Sequence, residues 1–519
     1  MAKKFNIAGR CIPPLHYMAD VSKKHKRIQA MVEDGDYFII NRPRQYGKTT
    51  ALHGVANALI ATGEYVVFNT SFEGVGDDIF LTEQNFAPRF VRLLSTNAET
   101  YSPDMVGWLD EAISTVHELD TLSKFITELV TRTDKKVVLI IDEVDKSSNN
   151  QLFVSFLAML RDKYLVRDLV KTFHAVVLAG VHDVKNLKLK LRPNEEQKYN
   201  SPWNIAADFK VDMNLQPSEI KPMLDEYAAD KGVKMDTAAM AEDLFYYTSG
   251  YPFLVSKLCK IMAEDLSETQ ETQEWTEENL GWAVKQLVLE KSTNSENLIK
   301  NLENYPELYQ IAHNLLIDGV YQDYNVHDPT VDLGIMFGIF KNGRGIKIHN
   351  RIYEELIYHY MTSRTSTRLV LVKQPAGKNF TLANNALDME LVLLKFQAYM
   401  REQYSKQDRD FLERHGRLVY LAFMKPILNG HGYDFKEAQI SEERRLDVVI
   451  TYYQHKYVAE LKVWRGQAAH EEGLEQLSDY LDRLKLSKGY LIIFDHKEIK
   501  TWASGWIEFN DKKIFIVWV

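Results

Sequence analysis

A short apolar strand, Tyr37–Ile40, leads into a loop that ends in Gly47, Lys48, Thr49 and Thr50. An Ala- and Leu-rich segment of helical length follows at once. A phosphate-binding loop requires this order of strand, loop, Gly-Lys-Thr and helix, because backbone N–H groups and the helix start must converge on the phosphates. The feature predicts a parallel α/β nucleotide-binding domain.

The same pattern assigns roles within the loop. Lys48 is expected to reach the β- and γ-phosphates of ATP, and the Thr49 hydroxyl to complete the shell of a Mg²⁺ ion. Arg42 stands where the GxxxxGK[ST] pattern has its first glycine, which weakens the pattern taken alone. The expected ATP-binding residues are Arg44, Gln45, Tyr46, Gly47, Lys48, Thr49, Thr50 and Asp142.

A second element supports the nucleotide site. The continuous apolar run Val137–Ile141 ends in Asp142 and Glu143. A buried central strand explains the run, but it does not explain two carboxylates at the sheet edge where the phosphate-binding loop opens. We expect Asp142 to hold Mg²⁺ and Glu143 to orient the attacking water, with Asp145 as a weaker candidate nearby.

Up to about residue 215, short β-branched runs alternate with longer amphipathic stretches. This alternation indicates parallel βαβ units and a three-layer α/β sheet. From Pro217 to Glu290 the apolar spacing is helical, which predicts a helical lid. The predicted strands of the sheet are Tyr37–Ile40, Tyr65–Phe68, Val137–Ile141 and Ala175–Ala179.

The 519 residues suffice for three or four domains. Two predicted strands, Gly334–Phe340 and Gly345–His349, follow helix signals and precede a predicted helix, Arg351–Tyr360, an order that resembles a winged helix. The predicted α/β multidomain chain has a P-loop parallel-sheet NTPase domain over 1–215, a helical lid over 216–295, a winged-helix-like domain over 296–362, a linker over 363–384 and a C-terminal α/β domain over 385–519.

The loop Arg42–Lys48 resembles that of the bacterial AAA-ATPase-like proteins, which often reads RPRxxGK. The resemblance covers about residues 10–215, including Ile12–Pro14 and Leu178–Val184, and it removes the objection raised by Arg42. It implies an ATP-hydrolysing AAA-ATPase-like domain. It also implies a polar γ-phosphate sensor near the end of the fourth strand, with His182 and Asp183 as candidates that equally well only end a strand.

Other segments leave alternatives open. The basic cluster Lys185, Lys188, Lys190 and Arg192 is a solvated face, a DNA contact or the source of an arginine finger, and the solvated face is favoured. The segment Gly250–Leu254 resembles the lid-helix turn of the same ATPases. Winged helices bind DNA in some proteins and are packing modules in others, and packing is favoured here.

In the C-terminal domain, Asp447 opens one predicted strand and Glu460 and Lys462 end the next. Strand residues two apart share a face, and Asp447 can reach that face across the hairpin. Two carboxylates and a lysine suit a divalent-metal phosphodiesterase, in which Asp447 and Glu460 bind Mg²⁺ or Mn²⁺ and Lys462 stabilises charge or positions the attacking water. Glu413 is a candidate third carboxylate, and Gln476 lies on a downstream helix.

The predicted order of helix, strand hairpin, helix and strand is that of the PD-(D/E)xK nuclease core. Val463–Gly466 and Gly473–Leu481 also resemble the nuclease domain commonly fused behind AAA-ATPase-like domains. The resemblance covers about residues 385–505 and implies a restriction-endonuclease-like α/β fold. Two alternatives are an ordinary hairpin with exposed charges and a nuclease fold that binds nucleic acid without cutting it. The predicted elements are helix Asp388–His415, strands Val448–Tyr452 and Tyr457–Leu461, helix His470–Leu484, and strands Gly489–Phe494 and Lys513–Val519.

Composition excludes several other classes of protein. The chain is 45% hydrophobic and 26% charged, which argues against a disordered or coiled-coil protein. Its formal charge of −9 means that contact with nucleic acid is local. Cys11 and Cys259 lack the spacing of a zinc or disulfide framework, and the N-terminus has no apolar targeting core, so we expect a cytoplasmic protein without a membrane segment.

The leading hypothesis is an ATP-binding and ATP-hydrolysing module that controls a metal-dependent nuclease. The expected partner is nucleic acid, with DNA favoured, and the expected cofactors are ATP and Mg²⁺, with Mn²⁺ an option at the nuclease site. The alternative is a nucleotide-gated scaffold or signalling NTPase whose C-terminal domain binds nucleic acid or a partner without cutting. A homo-oligomer is compatible with the sequence, which leaves the oligomeric state open.

Overall fold

The protein forms two compact units in a computed structural model. The N-terminal unit comprises Met1–Asn304 and Tyr324–Tyr353, and the C-terminal unit comprises Tyr305–Asp323 and Glu354–Val519. No helix in the described ranges is both long and apolar enough to cross a membrane. The domain boundaries given above stay predictions. The described residues are 3–144, 151–181, 203–269, 274–318, 322–325, 327–343, 345–368, 380–406, 409–428, 432–436, 447–464, 466–495 and 502–519.

A parallel sheet is the centre of the N-terminal unit. Its four described strands run in the order β1-β4-β3-β2, and all three strand pairs are parallel. The carboxyl ends of the strands therefore lie on one edge, and the predicted parallel α/β fold is confirmed. Buried side chains on both faces explain the nearly continuous apolar runs. The strands are β1 (Tyr37–Asn41), β2 (Tyr65–Ser71), β3 (Lys136–Asp142) and β4 (Ala175–Gly180).

Helices and short 3-10 turns connect these strands. Phenylalanines of the third and sixth helices, among them Phe86, Phe90 and Phe156, form the centre of an apolar core against the sheet. The helices are α1 (Ser22–Glu33), α2 (Lys48–Ala61), α3 (Glu83–Tyr101), α4 (Val106–Ile113), α5 (Leu119–Thr131) and α6 (Gln151–Leu165), and the 3-10 turns are Asp77–Phe80 and Pro103–Met105.

Beyond residue 215 the chain is mainly helical, as the apolar spacing predicts. The helices are α7 (Pro217–Lys231), α8 (Thr237–Thr248), α9 (Pro252–Thr269), α10 (Glu277–Leu289), α11 (Thr293–Asn304), α12 (Pro306–His313), α13 (Pro329–Met336) and α14 (Arg351–Arg368). A π-helical turn, Asn314–Asp318, follows α12, and two short antiparallel strands, β5 (Phe340–Lys341) and β6 (Lys347–Ile348), precede α14.

The predicted strand Gly334–Phe340 is wrong over its first residues, which belong to α13. The side chain of Asp328 accepts hydrogen bonds from the amides of Thr330 and Val331, and proline follows the cap directly, so this segment starts a helix. The predicted helix Arg351–Tyr360 is present but continues to Arg368.

The C-terminal unit contains a mixed sheet in the order β11-β12-β10-β9-β8-β7. The strands β9, β10 and β12 are parallel neighbours, whereas β7, β8 and β11 pair antiparallel. Its helices are α15 (Met389–Lys406), α16 (Arg409–Leu428) and α17 (Gln467–Arg483), and its strands are β7 (Gly432–Lys436), β8 (Asp447–Tyr452), β9 (His455–Val463), β10 (Lys488–Phe494), β11 (Ser504–Phe509) and β12 (Lys512–Trp518).

One prediction for this unit is wrong, and two strands were not predicted. The predicted helix Asp388–His415 is two helices, and the strands without a prediction are β7 and β11. Asn510 and Asp511 join β11 to β12 with φ values of 45° and 60°, as in a two-residue hairpin turn between strands. This Asn-Asp pair is the local signal from which β11 could have been predicted.

Candidate functional site

The loop after β1 has the backbone shape that a bound phosphate needs. Gly47 and Gln45 have φ values of 76° and 58°, and α2 begins at the next residue, Lys48. The left-handed conformation at Gly47 costs little because glycine has no Cβ. The amides at the start of α2 therefore face the same space as the loop, which favours an anion.

The side chain of Lys48 folds back into this loop. Its Nζ donates hydrogen bonds to the carbonyl oxygens of Arg42 and Pro43, each over 2.9 Å. The residue is only 5% exposed. A positive charge that is held by carbonyl groups beside a helix N-terminus provides a strong centre for phosphate.

Thr49 and Asp142 meet although 93 residues separate them. The Thr49 hydroxyl donates to Oδ2 of Asp142 over 2.5 Å, and Oδ1 of Asp142 accepts from the amide of Glu143 over 2.9 Å. The parallel sheet explains the contact, because β3 ends at the edge where α2 starts. A hydroxyl and a buried carboxylate are oxygen donors of the type that Mg²⁺ prefers, so these residues fit that ion.

Arg42 points away from the phosphate-binding space. Its guanidinium donates to the carbonyls of Asn41 over 2.7 Å and of Val211 over 2.9 Å, and it lies 5.2 Å from the ring centre of Phe209. Burial lowers the pKa of Arg42, and these contacts compensate for its desolvation. An arginine is therefore accommodated where the usual pattern has glycine.

Other predicted loop residues contact later parts of the chain. The hydroxyl of buried Tyr46 donates to Oδ1 of Asn214 and lies 2.9 Å from Nε2 of His349. The Arg44 carbonyl accepts from the Tyr251 hydroxyl over 2.7 Å. Gln45 and Thr50 accept hydrogen bonds from Asn294 Nδ2 and the Cys11 amide, respectively. Tertiary contacts thus hold the loop from outside.

Several candidates from the sequence lie outside the described residues. They are Asp145, His182, Asp183, Lys185, Lys188, Lys190 and Arg192.

In the C-terminal unit, Glu460 and Lys462 form an ion pair on β9. Lys462 Nζ lies 2.9 Å from Oε1 of Glu460 and donates to Oε1 of Gln476 over 2.7 Å. Gln476 in turn donates to Oε1 of Glu472 over 2.9 Å. Glu460 is 1% exposed, so its carboxyl group is desolvated, whereas the Lys462 side chain beside it is 27% exposed.

The backbone places Asp447 next to this pair. Residues 447 and 460 are directly opposite each other in the antiparallel register of β8 and β9. The side chains of Asp447 and Glu413 lie outside what the structure describes. Among the side chains that it does describe, no group of three His, Cys, Asp or Glu residues has the geometry of a metal site. A buried glutamate at the centre of the sheet is nevertheless a ligand type that Mg²⁺ and Mn²⁺ accept.

The profile of the AAA-like domain family matches residues 14–314, more than half of the chain. This chain belongs to the AAA-like domain family. Its N-terminal unit therefore contains an ATP-binding, AAA-like P-loop NTPase domain, and the predicted ATP-binding function is confirmed at this level. No curated protein matches the AAA-like sequence.

Three solved structures align with about two thirds of this AAA-like chain. The Walker-type ATPase PABY2304 of Pyrococcus abyssi is 12% identical, with 68% of this chain and 99% of that chain covered and a TM-score of 0.46. The ORC2 protein of Aeropyrum pernix, solved as ADPNP and ADP complexes, is 13% identical over 67% and 97% of the chains, with a TM-score of 0.39. The RuvB Holliday junction branch migration motor of Thermotoga maritima is 16% identical over 65% and 95%, with a TM-score of 0.34.

Sequence reasoning missed three residues that contact the loop of this AAA-like protein. Asn214, Asn294 and His349 follow the loop by 168 to 303 residues and stand in no recognisable motif. The unusual aromatic residue before Gly47 is the one signal that could have pointed to them, because a buried tyrosine hydroxyl needs hydrogen-bond partners.

His349 predicts a measurable pH dependence of stability. Burial, with Lys341 nearby, lowers the pKa of His349 from 6.5 to about 3. The unfolded chain therefore binds a proton between these values that the folded chain does not, and folding stability is lost as the pH falls below about 6.5. Between pH 7 and pH 5, the free energy of unfolding should fall by about 2 kcal/mol more in the wild type than in His349→Gln.

The measurement is urea unfolding at both pH values, monitored through hydrogen exchange of the sheet amides in the N-terminal unit. Other buried histidines contribute equally to both proteins, so the difference isolates His349. Equal losses in the two proteins would show that His349 does not stay neutral in the folded state.

Proposed function

We propose that this AAA-like protein hydrolyses ATP in its N-terminal unit and that its C-terminal unit is a divalent-metal-dependent nuclease that ATP controls. The proposed substrate is nucleic acid, with DNA the first choice. The hydrogen bond from Thr49 to Asp142 beside Lys48 supports hydrolysis most directly. The buried carboxylate of Glu460 beside Lys462 supports the nuclease.

In the ATPase, Lys48 binds the β- and γ-phosphates through its ammonium group, and Thr49 and Asp142 hold Mg²⁺. When bound, Mg²⁺ neutralises charge on the phosphate oxygens. Glu143 holds the attacking water with its carboxylate. Its φ of 55° is rare for a residue with a Cβ, and strained backbone of this kind often occurs at functional sites.

Glu143→Gln should retain ATP binding and lower ATP turnover by at least about 100-fold. The substitution removes the carboxylate that orients the water but spares Lys48, Thr49 and Asp142. Titration with a fluorescent ATP analogue and an assay of phosphate release measure the two properties separately.

The matched control is Glu64→Gln, because Glu64 is exposed just before β2 at the opposite edge of the sheet. This control should hydrolyse ATP at the wild-type rate. Wild-type turnover in Glu143→Gln would remove that residue from the proposed mechanism.

In the nuclease, Asp447 and Glu460 would hold the metal ion, which would polarise the attacking water and stabilise charge at the phosphate. Lys462 positions the attacking water or stabilises the charge that develops on the phosphate. Gln476 holds the lysine in place through the 2.7 Å hydrogen bond, so it acts by positioning. Glu413 is proposed as a further carboxylate near the ion.

One observation favours a second candidate, a C-terminal domain that binds nucleic acid or a partner without cutting. The ion pair between Glu460 and Lys462 already compensates the buried carboxylate. A site of this kind is stable without metal, as in a domain that uses its surface for binding alone. The protein is then a nucleotide-gated scaffold or signalling NTPase.

Cleavage assays distinguish the two candidates. Purified full-length protein is incubated with single- and double-stranded DNA and RNA, with and without Mn²⁺, Mg²⁺ and ATP. Metal-dependent cleavage supports the nuclease. Binding without cleavage under every condition supports the scaffold.

A further inference from the structure

The hydroxyl of Tyr46 connects three parts of the N-terminal unit. It belongs to the P-loop, it donates to Asn214 shortly before α7, and it lies 2.9 Å from His349 directly after β6. The ring of Tyr46 is buried and packs edge-on against that of Tyr251, with centres 4.6 Å apart. Its neighbours in the chain, Gln45 and Gly47, are the two loop residues with left-handed backbone.

The neighbours of His349 determine which of its ring nitrogens donates a hydrogen bond and which accepts one. Asn350 Oδ1 accepts from the Tyr353 amide, so its Nδ2 is the group that donates to Nδ1 of His349 over 3.2 Å. The proton of the neutral imidazole is then on Nε2, which donates to the Tyr46 oxygen. The Tyr46 hydroxyl donates a hydrogen bond to Oδ1 of Asn214, and Nδ2 of Asn214 donates to Oδ1 of Asp212 over 3.0 Å. The hydrogen bonds thus run in one direction, from Asn350 through His349, Tyr46 and Asn214 to Asp212.

The segment that carries His349 contacts the P-loop a second time. Gly338 has a φ of 71°, and a Cβ added there would lie 2.7 Å from Cγ of Pro43. The amide of His349 donates to the carbonyl of Ile339 over 2.8 Å, which joins the two contacts. Gly338 and His349 thus approach the P-loop from outside, at Pro43 and Tyr46 respectively.

We propose that His349 is a positioning residue of the nucleotide site, which holds Tyr46 and with it the P-loop in the shape that binds ATP. This loop has arginine in place of the first glycine, and it also contains bulky Gln45 and Tyr46. Such residues give the backbone little intrinsic preference for a conformation that curves around phosphate. The hydrogen bond from His349, in a distant part of the chain, stabilises that conformation. The inference rests on ATP binding by this loop.

The test compares His349→Leu with His349→Gln and Tyr46→Phe in the full-length protein. Leucine removes the donor, whereas the Nε2 of glutamine can take the place of the imidazole Nε2. His349→Leu should weaken the affinity for a fluorescent ATP analogue about tenfold, and His349→Gln should restore it to within about threefold of wild type. Tyr46→Phe should weaken it similarly, and adding His349→Leu to Tyr46→Phe should cause little further loss.

The matched control is His174→Leu, since His174 precedes β4 and bonds to the Glu33 carbonyl at the opposite edge of the sheet. It should leave ATP affinity unchanged. A lowered melting temperature with wild-type affinity in both His349→Leu and Tyr46→Phe would overturn the proposal, because a merely structural role predicts that result. If His349→Leu does not fold, Tyr46→Phe and His349→Gln decide. Failure of the wild type itself to bind the analogue would refute ATP binding and this inference together.

Discussion

Lys48→Ala is expected to weaken ATP binding by at least about 100-fold while leaving the fold intact. Lys48 Nζ is the positive centre of the P-loop, and hydrogen bonds from a charged donor each contribute about 1.5–3 kcal/mol. Alanine is a good helix former, so α2 can still start at this position. Isothermal titration with ATP measures the affinity, and the melting temperature without nucleotide reports on the fold.

Lys135→Ala is the matched control for this prediction. Lys135 is exposed just before β3, at the opposite edge of the sheet. The Lys135→Ala protein should therefore bind ATP with wild-type affinity. An affinity within threefold of wild type in Lys48→Ala would contradict the assignment of the phosphate site.

The second large effect is expected at the proposed nuclease site. Glu460→Gln and Lys462→Met should each lower metal-dependent cleavage by at least about 1,000-fold, since one removes a metal ligand and the other the group that positions water or stabilises charge. Asp447→Asn should have a similar effect. A chelator should abolish cleavage by the wild type, and cleavage is measured as product formed from labelled DNA.

Lys456→Ala provides the control, because Lys456 is an exposed lysine on the same strand as Glu460 and Lys462. It should cut at the wild-type rate, and all variants should hydrolyse ATP normally. If cleavage persists in both Glu460→Gln and Lys462→Met, the active site is elsewhere. If the wild type cuts no nucleic acid under any condition, the scaffold function replaces the nuclease.

Local sequence predicts the nucleotide site because its main features are local. Gly47, Lys48 and Thr49 follow one strand and open one helix, and Asp142 ends a second strand of the same parallel sheet. Parallel strands bring such residues to one edge whatever the loops between them do. In the same way, alternation along β9 predicts that Glu460 and Lys462 share a face, and their side chains are 2.9 Å apart.

The partners of Tyr46 have no such local signal. His349 follows the two-residue strand β6, which lies inside the predicted strand Gly345–His349. A predicted strand does not say which distant hydroxyl group its last residue contacts. The apolar residues of Gly334–Phe340 predict a strand, but the first of them belong to the helix that the Asp328 cap starts. Long-range hydrogen bonds and caps of this kind depend on tertiary contacts that a pattern in one sequence does not contain.

The polypeptide passes between the two compact units three times, at residues 304–305, 323–324 and 353–354. A single cut in the chain therefore cannot release both units whole. A fragment that ends at residue 304 lacks His349, and a fragment that begins at residue 354 lacks α12. A chimaera that exchanges one whole unit with a relative therefore needs three junctions in the chain, at these same positions.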